Sequence, residues 1–465
     1  MKKHNALKVV IITLLVFVLL TWFIPCAIYQ SSYSEVGRYQ VGIFDVAAYQ
    51  STVLGYFGYV ALFVLVIGGF YGVLYKTGVY RKILDGICKK LKGKETIAII
   101  VMMSLLAILT SLTGFQVVLL MLFPFVISLV LMMGYNKKAA VLATAGSVSV
   151  GLMGTTFAYN TTQVLQQVLS VKAVDLIWAK IILLVLGLVI LSFYLFKFGK
   201  DESTKKCEDK DLFIPEASKG KDKKKVWPLM VILDVMFVIG VLAFIPWNSA
   251  FSIDAFEKAT DAFLKFEVFK FPIFGKIFGS VNAFGSWSFL ELITLMLVAI
   301  IIIKFVYKIK WDDIFDGFGN GAKKAMLPAF LILLIYTCIV LTTYNPFQLV
   351  IYKVILGMSK GFNIFTTFLV ALFASIFNGD PLYAFNSVLP YMVSVIKSSS
   401  NYQLIAVIFQ AIFGIVTLVA PTSIPLMLTL AYTDVSFKDW FKYIWKVLVA
   451  LLVLAFIIFT ILILI

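Results

Sequence analysis

The sequence predicts an all-α polytopic membrane protein: about nine transmembrane helices, two re-entrant hairpins and two broken helices, arranged as an inverted repeat. Three observations predict it. Hydrophobic residues make up 62% of the chain and charged residues only 14%, with a mean hydropathy of +1.00, which excludes a soluble globular domain. Two apolar helix-turn-helix segments, 96–134 and 361–397, have arms of about 14 to 18 residues, short of the roughly 20 needed to cross a hydrocarbon core. Their polar tips, SLTGFQ and FNGDP, are therefore expected at membrane depth, where irregular backbone is tolerated only inside protein or beside a wet cavity. Finally, the order of elements recurs after 266 residues.

Charge patterning sets the expected orientation. The formal net charge of +16 is carried by Lys and Arg in short loops beside apolar segments, as the positive-inside rule requires, so it is not read as a nucleic-acid surface. The first span, about 8–28, follows Lys2, Lys3 and Lys8, which predicts a cytoplasmic N-terminus. Residues 30–53 are expected outside. A span over 54–77 then leads to Lys76, Arg81, Lys82, Lys89, Lys90, Lys92 and Lys94 on the cytoplasmic side. Within that basic stretch Val79, Ile83, Leu84, Ile87 and Leu91 recur at helical spacing, predicting an amphipathic interfacial helix.

The first hairpin follows, and then the segment 139–170. Its middle, GLMGTTFAYNTTQ, is too polar and too rich in glycine for a plain span, so a broken helix is expected. A span at 175–197 closes the first repeat (1–197), and a Lys-rich cytoplasmic linker occupies 198–226. The span 227–247 inverts the second copy, and 248–285 is an external segment. The second repeat (286–465) comprises spans at 286–307 and 325–343, the interfacial stretch NPFQLVIYKVILG, the hairpin 361–397, a helix over 401–432 broken at VAPTSIPLM by Pro421 and Pro425, and a last span ending outside. Shifting by 266 places Thr77 on Thr343, Gly114 on Asp380, Ala140 on Ala406 and Thr156 on Thr422. An odd number of crossings between equivalent elements makes the copies antiparallel in the membrane.

The candidate binding residues come from the tips and the breaks: Ser111, Thr113, Gly114 and Gln116; Thr155, Thr156 and Asn160; Asn378, Gly379 and Asp380; Thr422 and Ser423. Neutral hydroxyl and amide groups can hold a carboxylate or, with backbone carbonyls, a sodium ion. A coupling sodium would sit near Gly114, Thr155, Asp380 and Pro421. Asp380 has two readings. At membrane depth its carboxylate needs a partner, water or an ion; in a shallow hairpin, Asp380 and Pro381 simply make a solvated turn. Asp234 and Glu291 also lie in or near spans. Cys26, Cys88, Cys207 and Cys338 are far apart and the sole histidine, His4, is in the basic tail, so neither a disulfide framework nor a zinc site is expected.

IGGFYGVLYKTGVY (67–80), GAKKAMLPAFL (321–331) and VAPTSIPLM (419–427) followed by Trp440, with the opening TWFIPCAIY (21–29), resemble the YfcC-like carriers, also called the anaerobic four-carbon-dicarboxylate carrier family, which includes arginine/ornithine exchangers. The resemblance covers nearly the whole chain. It implies an inverted-repeat transporter of the ion transporter superfamily, hairpin tips facing broken helices around a midplane site, an elevator-type movement, and a homodimer. The chain departs from the family pattern at the first tip, where Phe115, Gln116 and Val117 replace an acidic pair. It departs again at the first break, TFAYN, which has no proline, and before PTS, where AIFGIVTLVAPTS has no acid.

The expected function is secondary active transport, by symport or exchange, of a small organic anion or amino acid across the plasma membrane, with the lipid bilayer and the substrate as partners and sodium or protons as coupling ions. No other cofactor is expected, and the C-terminus is expected outside. A transporter-fold protein acting as a sensor or partner subunit without flux is the alternative. The chain has no P-loop, no HExxH and no acid/base pair at persuasive spacing, so it is not read as an enzyme.

Overall fold

The computed structural model describes residues 4–200 and 224–464, so nearly all of the expected linker at 198–226, Cys207 included, lies outside the described residues. The chain is almost wholly helical. It opens with α1 (Asn5–Phe23), a short antiparallel pair β1 (Cys26–Tyr29) and β2 (Tyr33–Gly37), then α2 (Ile43–Lys76), α3 (Tyr80–Lys90), α4 (Glu95–Thr113), α5 (Phe123–Met132), α6 (Lys137–Val141), α7 (Ser147–Met153), α8 (Tyr159–Leu169) and α9 (Ile177–Phe198). After the linker come α10 (Trp227–Phe244), α11 (Trp247–Phe251), α12 (Ala255–Leu264), the pair β3 (Glu267–Val268) and β4 (Phe271–Pro272), α13 (Ile273–Phe278) and α14 (Phe289–Tyr307). The rest is α15 (Trp311–Tyr344), α16 (Gln348–Leu356), α17 (Ile364–Phe377), α18 (Pro381–Asn386), α19 (Leu389–Val395), α20 (Tyr402–Val416), α21 (Ile424–Thr433) and α22 (Phe437–Leu464).

Among the described residues nine helices are long and apolar enough to cross a membrane. The number is the expected one, but the membership differs. The first hairpin arm, α4, has 19 residues and qualifies by length. The broken segment 139–170 does not, because it is divided among α6, a π-helical turn at Leu142–Gly146, α7 and α8. Helices α2 and α15 both have 34 residues and begin well before the apolar runs at 54 and 325 that mark them in the sequence. Side-chain hydropathy locates the lipid-facing part of a helix, whereas backbone hydrogen bonding continues as far as packing supports it.

The chain falls into two compact units. The larger holds residues up to Ala61, those from Cys88 to the linker, and those from Met326 onward; the smaller holds Leu62–Ile87 and the stretch ending at Ala325. In the smaller unit two GxxxG sequences meet face to face. A Cβ on Gly72 would come within 2.0 Å of the Gly317 carbonyl oxygen, and one on Gly321 within 2.0 Å of that of Gly68. Only glycine allows backbones so close, which is the small-xxx-small mode of packing in lipid. The KTG sequence ends α2: the Val79 amide donates to Thr77 Oγ1 at 3.1 Å while Gly78 takes φ 69. This turns the chain into α3, which buries Tyr80, Ile83 and Leu84. At α14, Ser288 and Glu291 form a capping box, and Asn282 also donates to Glu291. Asp234 lies on an exposed face of α10.

In the larger unit the two halves use corresponding helices in corresponding ways. Helix α4 packs on α7 and α17 on α20, α7 packs on α9 and α20 on α22, and α7 and α20 pack on each other. That last crossing is very close: a Cβ on Gly414 would lie 2.1 Å from the Met153 amide nitrogen. Thr417 Oγ1 donates to Ser149 Oγ at 2.9 Å beside it. The segment boundaries repeat with it, since residues 80–90 shifted by 266 become 346–356, against Gln348–Leu356 for α16.

Candidate functional site

Each hairpin tip touches the break in its own half. Helix α4 ends when Gly114 adopts φ 70, a left-handed turn open to glycine without strain. One turn earlier, Ser111 Oγ donates to the Gly154 carbonyl at 2.6 Å and lies 3.1 Å from Thr156 Oγ1. The Thr156 amide in turn donates to the Ser111 carbonyl at 2.9 Å. Gly154, Thr155 and Thr156 belong to the stretch between α7 and α8 where the helix is interrupted, so the tip satisfies backbone groups that the break sets free. Thr155 Oγ1 donates to the Leu152 carbonyl and Thr113 Oγ1 to that of Leu109. These two hydroxyls therefore cap their own helices. Gln116 is buried, and its Oε1 has no hydrogen-bond partner. Asn160 lies in the first turn of α8, and its side chain lies outside what the structure describes.

The second tip docks by backbone approach. A Cβ on Gly379 would meet the Thr422 carbonyl oxygen at 1.9 Å and the Ser423 nitrogen at 3.3 Å. Thr422 Oγ1 donates to the Ile376 carbonyl at 2.9 Å. Asn378 is 1% exposed, and its Oδ1 accepts from Thr342 Oγ1 at 3.1 Å. Asn378 Nδ2 and Ser423 Oγ are buried without partners. Pro425 falls in the first turn of α21, where its missing N–H costs nothing. The Leu418 carbonyl, freed by the same break, is taken by Trp440 Nε1 at 2.8 Å, with Trp440 wholly buried.

Asp380 combines features of both readings drawn from its sequence. It is the N-cap of α18, accepting from the Leu382 amide at 2.9 Å with Pro381 in the first turn, as in a well-made turn. Yet it is largely buried, and the phenols of Tyr59, Tyr336 and Tyr383 lie within electrostatic reach of its carboxylate. Phe57 stacks on Tyr336 with ring centroids 3.9 Å apart. The surroundings are aromatic rather than those of a solvated loop.

Two features escaped the sequence reading. Lys180 on α9 is 2% exposed, and its ammonium donates to the Ala173 carbonyl at 3.0 Å in the turn after α8. A lysine four residues into an apolar run was the available signal. The second is a cavity of about 350 Å³ beside the second hairpin, lined from β1, the end of α15, α16, α18 and α19. It collects residues from distant parts of the chain, and no local pattern announces it.

Hairpins whose tips meet interrupted helices within an apolar helical body are the build of a multi-pass membrane transporter. The chain belongs to the C4-dicarboxylate anaerobic carrier family, whose model matches residues 4–464. Among solved structures it is similar to the YdaH transporter of Alcanivorax borkumensis, at 13% identity and a TM-score of 0.37 over 98% of each chain, a likeness too distant to carry an argument. No curated protein matches the chain.

Proposed function

We propose that this carrier moves a small organic anion or amino acid across the plasma membrane by secondary active transport, as a symporter or an exchanger. The family description makes four-carbon dicarboxylates the first substrates to test. The observation that carries the reading is the docking of both tips on both breaks, with partnerless buried polar atoms left on Gln116, Asn378 and Ser423. Buried polar groups are nearly always paired, and the three unpaired ones on the elements predicted to enclose a substrate are groups that a ligand would satisfy in this reading.

The tips and breaks are joined by hydrogen bonds and by glycine contacts that leave no room for slip. They therefore suit an elevator-type movement, in which one rigid body carries the substrate between the two faces. In this reading Ser111, Thr113, Gly114, Gln116, Thr155, Thr156, Asn160, Asn378, Gly379, Asp380, Thr422 and Ser423 surround the substrate. Carbonyls and hydroxyls near Gly114, Thr155, Asp380 and Pro421 would hold a coupling sodium, or Asp380 a proton. The N-terminus is assigned to the cytoplasm and the C-terminus to the outside, the protein assembles as a homodimer, and no chemistry is performed on the substrate.

Uptake into proteoliposomes under an imposed sodium or proton gradient, with dicarboxylates and amino acids as substrates or counter-substrates, tests the proposal. Gradient-driven accumulation or exchange is the expected outcome. Specific binding with no flux under any gradient would replace the carrier reading with that of a sensor or partner subunit.

A further inference from the structure

We infer that the segment between α11 and α14 docks on the lipid bilayer, with the tip of the β3–β4 hairpin and the exposed side of α13 set among the headgroups. Over residues 251–288 no side chain is fully buried, although ten of these 38 residues, nine Phe and Trp287, are aromatic. Rings in that number need a cover that the segment does not supply itself. Phe269 is the extreme case. It is 99% exposed at the tip of the hairpin, and Phe266, Phe271, Ile277 and Phe278, on either side of it in the chain, are exposed as well. Phe269 and Lys270 both take a left-handed backbone, φ 53 and 60, in a two-residue turn whose usual occupants are Asn and Gly. A phenylalanine held there against backbone preference, and covered by nothing in the fold, points to a surface outside the chain.

The arrangement of charge says which surface. Along α12, Asp254, Lys258, Asp261 and Lys265 follow one another at steps of four, three and four residues, which keeps them in one stripe. They pair within it, Lys258 with Asp254 at 2.6 Å and Lys265 with Asp261 at 2.9 Å. Phe256 and Phe263 fall on the opposite side of the helix. There Phe263 stacks on Phe274 of α13 with ring centroids 4.4 Å apart and meets Phe278 at 5.4 Å, so α13 lies on the side turned away from the charges. Four Lys against four Asp or Glu over 251–288 leave no net charge to attract a charged partner. A charged side backed by an aromatic one is the build of an element lying in the membrane interface. The bilayer is also adjacent. The Gly285 amide donates to the Ala243 carbonyl at 2.8 Å, tying the end of the segment to the last turn of α10, and both α10 and α14 are long and apolar enough to cross the membrane. Apolar exposure runs on from those spans, through Leu290 at the start of α14 and through Phe251 and Ile253 after α11. Trp247 and Phe284 meet Phe256 at 5.0 and 5.9 Å, an aromatic belt where the chain leaves the span.

The test places an environment-sensitive NBD label on the full chain at Phe269→Cys, in phosphatidylcholine nanodiscs, and reads its emission above that of the identically treated parent chain. Doxyl-labelled phosphatidylcholine quenches from within the bilayer, and iodide quenches from water. Interfacial elements sit about 5–10 Å into the boundary between headgroups and acyl chains, so the lipid quencher is expected to lower the signal at least about twofold and iodide to do little. Asp261→Cys, on the charged stripe, should show the reverse. Iodide quenching at position 269 as strong as at position 261, with none from the lipid, would put the tip in water and overturn the proposal. Shielding from both quenchers would overturn it too, in favour of cover by a second copy of the chain. If the Phe269→Cys protein loses its cooperative melting transition, Ile277→Cys on α13 takes its place with the same readout and the same two overturning outcomes.

Discussion

The two hairpin tips occupy equivalent places in the chain and are secured differently. The first is held by hydrogen bonds, the Ser111 hydroxyl reaching across to Gly154 and Thr156 and the Thr156 amide donating back to the Ser111 carbonyl, and every group involved is neutral. The second has a hydroxyl bridge too, from Thr422 Oγ1 to the Ile376 carbonyl, but adds a contact with no side chain at all, because Gly379 lies directly against the Thr422 carbonyl. Beside that contact stands Asp380, the one carboxylate at either tip. A hydroxyl bridge can be weakened by degrees. A backbone contact with no room for a methyl group cannot, so the second tip should be the more brittle half of the site and the only one whose charge can be altered.

The largest effect expected from breaking this asymmetry is that of Gly379→Ala. Its methyl group has to displace the Thr422 carbonyl, 1.9 Å away, costing about 3 kcal/mol or more and abolishing flux, while Gly114→Ala, on a left-handed backbone and 2.8 Å from the Ala158 methyl group, should cost about 2 kcal/mol. Thermal melting and uptake of the two variants side by side would measure the difference, and similar behaviour would undo the comparison. Next comes Asp380→Asn. Asparagine caps a helix as well as aspartate does, so the melting temperature should hold while flux falls about tenfold or more, the loss of one charge-assisted contact. Undiminished flux would reduce Asp380 to a cap.

Ser111→Ala should act more gently. It leaves the Gly154 carbonyl without its donor, for about 1–2 kcal/mol of stability, and Ser111→Thr should restore part of the loss. Denaturation midpoints of the two variants decide it. The smallest effect is expected outside both tips, at Ser288→Ala, where loss of the α14 capping box should cost about 1 kcal/mol and leave uptake per folded molecule unchanged. A flux defect there would mean that the carrier's movement depends on the packing of α14.

Much of the candidate site was legible because its signals are local. SLTGFQ and FNGDP interrupt apolar runs with glycine and polar residues, and the structure ends α4 at Thr113 and α17 at Phe377, directly before Gly114 and Asn378. GTTF and APTSI interrupt helices in the same way, and α8 and α21 restart at Tyr159 and Ile424. The extent of α2 and α15 was not legible. Their first turns carry polar, aromatic and glycine residues whose helical state is decided by what they pack on. The π-helical turn at Leu142–Gly146 was equally hidden, since LATAG is compatible with an ordinary helix. The GxxxG pairs were visible as text, but nothing in the sequence said that Gly68 and Gly72 would face Gly317 and Gly321.

What the sequence by itself determined is the set of membrane elements, their order, their interruptions and their doubling. Hydropathy and backbone preference act over one turn of chain and are written residue by residue. Only the tertiary structure decided which groups meet: Ser111 with Gly154, Gly379 with Thr422, Gly414 with Met153, and Gln348 and Asn378 on either side of Thr342. Those contacts join residues tens to hundreds of positions apart. They depend on the fit of whole helices, a property that no single stretch of sequence contains.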